Sequence, residues 1–310
     1  SPYLTQGPLT KEFQSALVEK TGSKYSTVMN SATSVLHSAC LALGLGKNDI
    51  LWTSPITFVA SANCALYCGA NVDFVDIDPN NGLISIEKLE EKLKRAKHQN
   101  KLPKILIPVH LAGSSCDMKK IANLSNKYGF KVIEDASHAI GGRYENEPIG
   151  NCHYSSICVF SFHPVKIITT GEGGAATTND AKLNNSLIKI SSHGITKESK
   201  NFIDLNTPDW YYEQQELGFN YRMNDIQAAL GISQLKRLES IVKERNRQYN
   251  FYRELFKNTK IKLLSIPTTN YSALHLCIIY LDLKNKESYK TIFQELRSNG
   301  IGVQLHYYPV

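Results

Sequence analysis

The 310-residue sequence lacks long apolar runs. No stretch of about 18 apolar residues occurs, and the first residues contain no apolar segment of the signal-peptide type. We therefore predict no membrane partner and a protein of the cytoplasm. Low-complexity tracts and internal repeats are also missing, so the composition indicates an ordinary globular chain.

Cysteine motifs and nucleic-acid motifs are missing as well. The seven cysteines include no CxxC pair, and Cys64 and Cys68, although one helical turn apart, have no nearby histidine to complete a metal site. We predict reduced core thiols and no metal. The net charge of +7 is spread along the chain without a recognition motif for nucleic acid, and it favours small anionic ligands.

The most informative segment that is present runs from Ser161 to Gly174. An apolar, β-prone run precedes it and Pro164 ends any regular strand, so Lys166 is predicted at a strand end. Apolar neighbours such as Val165 would desolvate its side chain, and desolvation favours the neutral amine that forms a Schiff base. Taken alone, the motif also fits a solvated lysine in a glycine-rich turn.

A second strand pattern, 131–135, runs into acidic residues. Asp135 is predicted at the carboxyl end of this strand, the edge where open α/β sheets bind ligands. A carboxylate there could keep the ring nitrogen of pyridoxal phosphate protonated, which makes the ring an electron sink. For an isolated aspartate, a helix N-cap or an Asx turn is the alternative.

Two strand-to-helix junctions complete the pattern. Residues 30–34 open a predicted helix with small hydroxyl side chains, and the free backbone donors of such a helix start can bind phosphate. Simple N-capping uses the same residue types. At the next junction, Phe58 could lie on a planar cofactor or be buried in the core.

These segments together resemble the DegT/DnrJ/StrS family of nucleotide-sugar aminotransferases, which depend on pyridoxal phosphate. The resemblance covers nearly the whole chain and rests on residues 30–34, 54–58, 75–79, 134–139, 161–174 and 218–224. It implies an α/β protein of fold type I, the aspartate aminotransferase-like fold of pyridoxal-phosphate enzymes. Such a protein has a large domain with a mostly parallel sheet and a smaller C-terminal α/β domain.

The resemblance also implies residue roles. Lys166 is implied to hold the cofactor covalently and to move the proton between cofactor and sugar carbon. The implied cofactor contacts are Ala32, Thr33 and Ser161 at the phosphate, Phe58 and Asp135 at the ring, His138 at the phenolic oxygen, and Asn220 at the phosphate of the neighbouring subunit's cofactor. The last contact implies a homodimer with shared active sites. His138 stands where many members have glutamine, and it or His163 could instead contact the sugar or nucleotide.

Within the family, the Ser161–Gly174 segment and the final LHYYPV are most similar to one kind of enzyme. These enzymes move the amino group of glutamate to C-4 of UDP-2-acetamido-2,6-dideoxy-β-L-arabino-hexos-4-ulose, in the biosynthesis of pseudaminic acid for flagellin glycosylation. Lysine at 166 favours transamination, because sugar dehydratases of this fold carry histidine there. The alternatives are amination of another UDP- or dTDP-linked keto sugar at C-4 or C-3, a nicotinamide-dependent sugar oxidoreductase, which would require a GxGxxG that is missing, and a non-catalytic sensor.

Hydrophobic patterning predicts alternating strands and helices. The predicted strands lie near 25–29, 49–53, 72–76, 105–109, 131–135, 155–161 and 174–178, and the predicted helices near 31–43, 57–68, 86–97, 116–127 and 181–191. A long helix from 224 to about 256 is followed by a strand at 273–283, a helix at 287–299 and a strand at 302–308. We predict a large cofactor-binding domain over 1–235 and a small C-terminal unit over 236–310 that looks truncated relative to the family.

Overall fold

The computed structural model describes residues 3–204, 206–281, 283 and 286–310, except for the side chain of Lys286. The strands are β1 Tyr25–Met29, β2 Ile50–Thr53, β3 Asn71–Phe74, β4 Ile105–Ile107, β5 Lys131–Asp135, β6 Arg143–Tyr144, β7 Glu147–Pro148, β8 Ile157–Ser161, β9 Gly174–Thr178, β10 Ile195–Thr196, β11 Glu213–Gln214, β12 Lys262–Leu263, β13 Asn270–Tyr271 and β14 Ile279–Tyr280. The α-helices are α1 Pro8–Thr21, α2 Ala32–Ala42, α3 Ala60–Tyr67, α4 Ile86–His98, α5 Met118–Tyr128, α6 Ala181–Ser191, α7 Asp225–Leu235, α8 Leu238–Phe256 and α9 Lys286–Ser298, with 3₁₀ turns at Leu111–Gly113 and Ser199–Asn201. Within these ranges, no helix is long and apolar enough to cross a lipid bilayer.

Seven strands form the central sheet in the order β1-β9-β8-β5-β4-β2-β3. Neighbours from β8 to β3 pair in parallel, whereas β9 is antiparallel to both β1 and β8. The strand β9 therefore runs against the rest of the sheet. This architecture confirms the predicted α/β class with a mostly parallel sheet.

The sheet is covered on both faces, as β8 illustrates. Phe160 belongs to a buried cluster with Phe13 of α1, whereas its neighbour Val159 belongs to a second cluster with Leu36 of α2. Successive residues of a strand point to opposite faces, so every residue of β8 is buried. A strand that is covered twice has a continuous apolar sequence, and this made it recognisable without the structure.

The predicted long helix is two helices. α7 ends at Leu235 and α8 begins at Leu238. The two helices have different neighbours: Gly231 of α7 lies against the ring of Phe13, where a Cβ atom would come within 2.6 Å, and Leu238 packs against Gly141. A break between them lets each helix fit its own neighbour. Helix α1 was not among the predicted elements.

The C-terminal region also differs from the prediction. Of the predicted strand 273–283, only Ile279–Tyr280 is a strand, and Asp282 lies outside the described residues. Ala273 instead donates a 3.0 Å backbone hydrogen bond to Gly113, and it belongs to the same buried cluster as Phe13. The predicted strand at 302–308 is irregular. A domain boundary between 235 and 236 remains a prediction.

Candidate active site

A cavity of about 280 Å³ lies at the edge of the sheet where β5 and β8 end and β9 begins. Eight of the sequence-predicted site residues line it: Ala32, Thr33, Phe58, Asp135, His138, Ser161, His163 and Lys166. Asn220 is not part of the lining. Its exposed side chain belongs to a segment beside α2, where its carbonyl accepts a 3.4 Å hydrogen bond from the side chain of Asn30.

The start of α2 forms one wall of the cavity. Ser31 is the N-cap, and its Oγ accepts a 3.1 Å hydrogen bond from the N–H of Ser34. The N–H groups of Ala32 and Thr33, in the first turn, have no acceptor within the helix. Gly174 of β9 lies so close that a Cβ atom there would be 2.5 Å from the nitrogen of Ala32. The glycine thus brings the helix start against the strand edge.

The Asp135 carboxylate forms a second wall and is held in a fixed orientation. It is only 5% exposed. One oxygen accepts a 2.6 Å hydrogen bond from Ser61 of α3, and the other accepts a 3.1 Å bond from the N–H of Ser137. Thr57 in turn bonds Ser61 at 2.8 Å. These hydrogen bonds orient the carboxylate, whose oxygens can stabilise a cation bound in the cavity.

Lys166 lies in the turn after β8, where its N–H donates a 2.9 Å hydrogen bond to His163. Burial lowers the pKa of its amine, and the nearby charge of Asp135 partly opposes this shift. A larger fraction of the amine is therefore neutral than in a solvated lysine. Val165 remains 63% exposed, and Ile167 belongs to the core. Lys166 is thus desolvated by the burial of its side chain in the cavity and not by the residues next to it in the sequence.

His138 has partners at both ring nitrogens. Its Nδ1 accepts a 3.3 Å hydrogen bond from the N–H of Ala112, and its Nε2 lies 3.0 Å from the hydroxyl of Tyr307. Burial and the positive charge of Lys166 hold the pKa of His138 far below its usual value. The imidazole is neutral at physiological pH.

The lining residues that sequence reasoning missed include three in the C-terminal region: His275, His306 and Tyr307. Tyr307 lies edge to edge with His138, with ring centroids 6.1 Å apart and planes at 19°, and its ring centroid is 6.4 Å from that of Phe58. These contacts direct the segment toward the cavity, and this explains why 302–308 forms no strand. The LHYYPV segment was the available signal, but its alternation was interpreted as a strand. His275 had no comparable signal.

His163 is more exposed than the buried predicted contacts Asp135, His138 and Ser161. Its Nε2 lies 3.7 Å from the carboxylate of Glu172, which also lines the cavity, and both side chains are about half exposed to solvent. This pair lies at the mouth rather than at the bottom of the site. A contact between His163 and a bound nucleotide or sugar remains a prediction.

The chemistry of these walls fits pyridoxal phosphate. The first turn of α2 offers backbone donors for a phosphate group, beside the hydroxyls of Thr33 and Ser161. Asp135 offers a buried carboxylate for the protonated ring nitrogen, and Lys166 offers a desolvated amine for the aldehyde. The close approach of Gly174 to α2 makes a cradle that a side chain would fill.

Comparisons with known proteins identify the family of the chain. The model of the DegT/DnrJ/EryC1/StrS aminotransferase family matches residues 1–310. A UDP-4-amino-4,6-dideoxy-N-acetyl-β-L-altrosamine transaminase of Campylobacter jejuni is 41% identical over 307 residues, which cover 99% of this chain and 77% of the relative. The structure of Helicobacter pylori PseC, an aminotransferase of pseudaminic acid biosynthesis, has a TM-score of 0.88 at 34% identity and covers 100% of this chain and 79% of PseC.

A sugar aminotransferase of Streptococcus pneumoniae, Spr1654, has been solved in a PLP form that is 28% identical, with a TM-score of 0.87 over 100% of this chain and 80% of its own. The match of the family model to the whole chain, together with 41% identity to a named transaminase, decides the classification. The chain belongs to the DegT/DnrJ/EryC1/StrS aminotransferase family, whose members depend on pyridoxal phosphate.

Proposed function

We propose that this protein transfers the amino group of glutamate to C-4 of UDP-2-acetamido-2,6-dideoxy-β-L-arabino-hexos-4-ulose. The observation that carries the proposed chemistry is the meeting of a desolvated Lys166 amine and a buried Asp135 carboxylate in one cavity. The proposed substrate is supported by the 41% identity to the Campylobacter jejuni transaminase.

When bound, pyridoxal phosphate supplies an aldehyde that carries amino groups and a ring that withdraws electrons from the carbon losing a proton. In our proposal, Ala32, Thr33 and Ser161 bind its phosphate, and Asp135 keeps its ring nitrogen protonated. Phe58 covers the ring. The hydrogen bond from Ser61 keeps the carboxylate oriented toward the cavity.

In our proposal, Lys166 holds the cofactor covalently and then acts first as a base and afterwards as an acid. Its lowered pKa leaves Nζ able to accept a proton from the carbon that loses it and to deliver it, on the same face, to the carbon that gains it. The neutral imidazoles of His138 and His275 line the wall without adding positive charge. Lys166 thus remains the principal proton carrier among the lining residues.

We also propose that the working unit is a homodimer in which Asn220 reaches the phosphate in the partner's site. Its position outside the cavity of its own chain is compatible with this role. Exposed apolar side chains at the end of α3, Leu66 at 56% and Tyr67 at 54% exposure, offer surface for a second copy. A cytoplasmic location is part of the proposal, and the free state of all seven cysteines suits a reducing compartment.

The test is product analysis. The purified protein is incubated with glutamate and with each 4-keto epimer of the UDP-sugar, and the product is read by NMR. We expect an amino group at C-4 of the β-L-arabino substrate. Amination at C-3, or preference for the D-xylo epimer, refutes the substrate but retains the reaction class. A protein whose visible absorbance is absent, or is not bleached by borohydride, refutes the class itself.

A further inference from the structure

Tyr307 belongs to a hydrogen-bond chain whose direction is determined by the backbone. The N–H of Ala112 points at Nδ1 of His138 across 3.3 Å. A peptide N–H can only donate, so Nδ1 accepts and carries no proton. In a neutral imidazole the proton is then on Nε2, which must donate it to the Tyr307 hydroxyl 3.0 Å away.

Both side chains are held in the protonation state that this direction needs. Burial and the charge of Lys166 keep the imidazole of His138 neutral. Burial, with the negative charge of Asp135, raises the pKa of Tyr307 to about 12, so its hydroxyl keeps its proton. A hydroxyl that accepts a bond from His138 has its own proton left for another acceptor.

The hydroxyl proton of Tyr307 can be donated to a group in the cavity. Tyr307 lines the same cavity as Asp135 of β5 and Ser161 of β8, and among the described residues its hydroxyl has one hydrogen-bond partner, His138. Its ring lies nearly coplanar with that of His138, to which its hydroxyl is bonded, and it is also close to Phe58. A partly buried donor aimed at a binding cavity has a ligand oxygen as its natural partner.

We propose that Tyr307 is a directed hydrogen-bond donor to an oxygen of the bound substrate or cofactor, and that His138 is the positioning residue that orients it. The proposal rests on the proposed function for the identity of the ligand. It differs from a direct contact between His138 and the phenolic oxygen of the cofactor, because both ring nitrogens of His138 are already engaged.

The first experiment uses Tyr307→Phe, which keeps the ring and removes only the hydroxyl. The measurements are the Kd of the apoprotein for pyridoxal phosphate, the rate of the half-reaction with glutamate, kcat and KM for the keto sugar, and the thermal midpoint. We expect a loss of about tenfold in one of the first three with little change in the midpoint. A weaker Kd identifies a cofactor oxygen, and a change in sugar or glutamate kinetics alone identifies a substrate oxygen.

The second experiment tests the positioning residue. A glutamine in place of His138 can accept from Ala112 through Oε1 and donate to Tyr307 through Nε2, whereas a leucine can do neither. His138→Gln should stay within about threefold of the wild type, and His138→Leu should lose about as much as Tyr307→Phe. The double variant that combines His138→Leu with Tyr307→Phe should be no worse than either single variant.

Additive losses in the double variant would show that His138 does not act through Tyr307. An unchanged Tyr307→Phe protein, in cofactor affinity, half-reaction and sugar kinetics, would overturn the proposal outright. Failure of the proposed function is a different result, because the wild type itself then aminates none of the keto sugars. The cofactor titration and the glutamate half-reaction still decide the part of Tyr307 in that case.

Discussion

Gly174→Ala should displace the start of α2 and weaken cofactor binding. The added Cβ would lie 2.5 Å from the nitrogen of Ala32 and 2.7 Å from the carbonyl carbon of Ser31, both in the backbone. Because relaxed contacts lie near 3.5 Å, the helix start has to move by about 1 Å. Overpacking of this kind costs about 1–3 kcal/mol of folding free energy. A displacement of that size breaks or lengthens hydrogen bonds to a bound phosphate, and each such bond to a charged group is worth about 1.5–3 kcal/mol, which is about ten- to a hundredfold in Kd.

The assay combines urea unfolding of the variant with a titration of its apoprotein by pyridoxal phosphate. Gly171→Ala is the matched control, because no atom lies within 4 Å of its added Cβ, although its φ of +80° makes alanine unfavourable. We expect the control to lose about 1 kcal/mol of stability and to retain its cofactor affinity. If Gly174→Ala binds the cofactor as tightly as the control does, the start of α2 is not the phosphate site.

Three further predictions concern the same site. Lys166→Ala should abolish turnover while cofactor remains bound without a covalent link, and peptide mapping of the borohydride-reduced wild type should find the pyridoxyl group on Lys166; its appearance on another lysine contradicts the assignment. Asn220→Ala should bind cofactor weakly, yet mixing it with Lys166→Ala should restore part of the activity, because one site of each heterodimer is then intact; no recovery, or a fully active monomer by sedimentation, argues against shared sites. Burial, with the charge of Lys166, lowers the pKa of His275 to about 3. Below about pH 6.5 the native state therefore binds fewer protons than the unfolded chain. As the pH decreases toward 3, this group should lower the free energy of unfolding by about 1.4 kcal/mol per pH unit. His275→Gln should have a correspondingly smaller slope in urea unfolding between pH 6 and 4, and equal slopes would contradict a buried neutral imidazole.

The half of the site that lies on the sheet was predictable because each residue follows a strand with a clear pattern. Asp135 ends a strand that is buried from Val132 onward, and Ser161 ends one that is buried throughout; parallel strands bring their carboxyl ends to one edge. The reversal of β9 was not visible in the sequence, since a buried strand has the same composition in either direction. Gly174 is the first residue of that strand, and its role depends on the reversal.

The C-terminal wall could not be predicted, because long-range contacts override its local pattern. The alternation around Tyr307 is typical of a strand, but the side chain bonds His138 in the cavity and the backbone pairs with none of the described strands. His275 lies in a run of strand-forming residues, yet the backbone there bonds the turn at Leu111–Gly113. Helix α1 escaped notice because few apolar positions mark it, chiefly Phe13 and Leu17.

The segment 162–173 has a consequence for how such enzymes can be altered. It leaves β8 and returns into the adjacent β9, with Ser161 opposite Gly174, so it is a loop that is closed on two neighbouring strands. The entropy of closing a loop changes slowly with its length, and the register of the sheet is set outside it. Insertions and deletions within this loop therefore change how deep in the cavity the Lys166 amine lies, while the sheet keeps its pairing. In this fold the position of the reactive amine can change through loop length alone, without a change in the sheet.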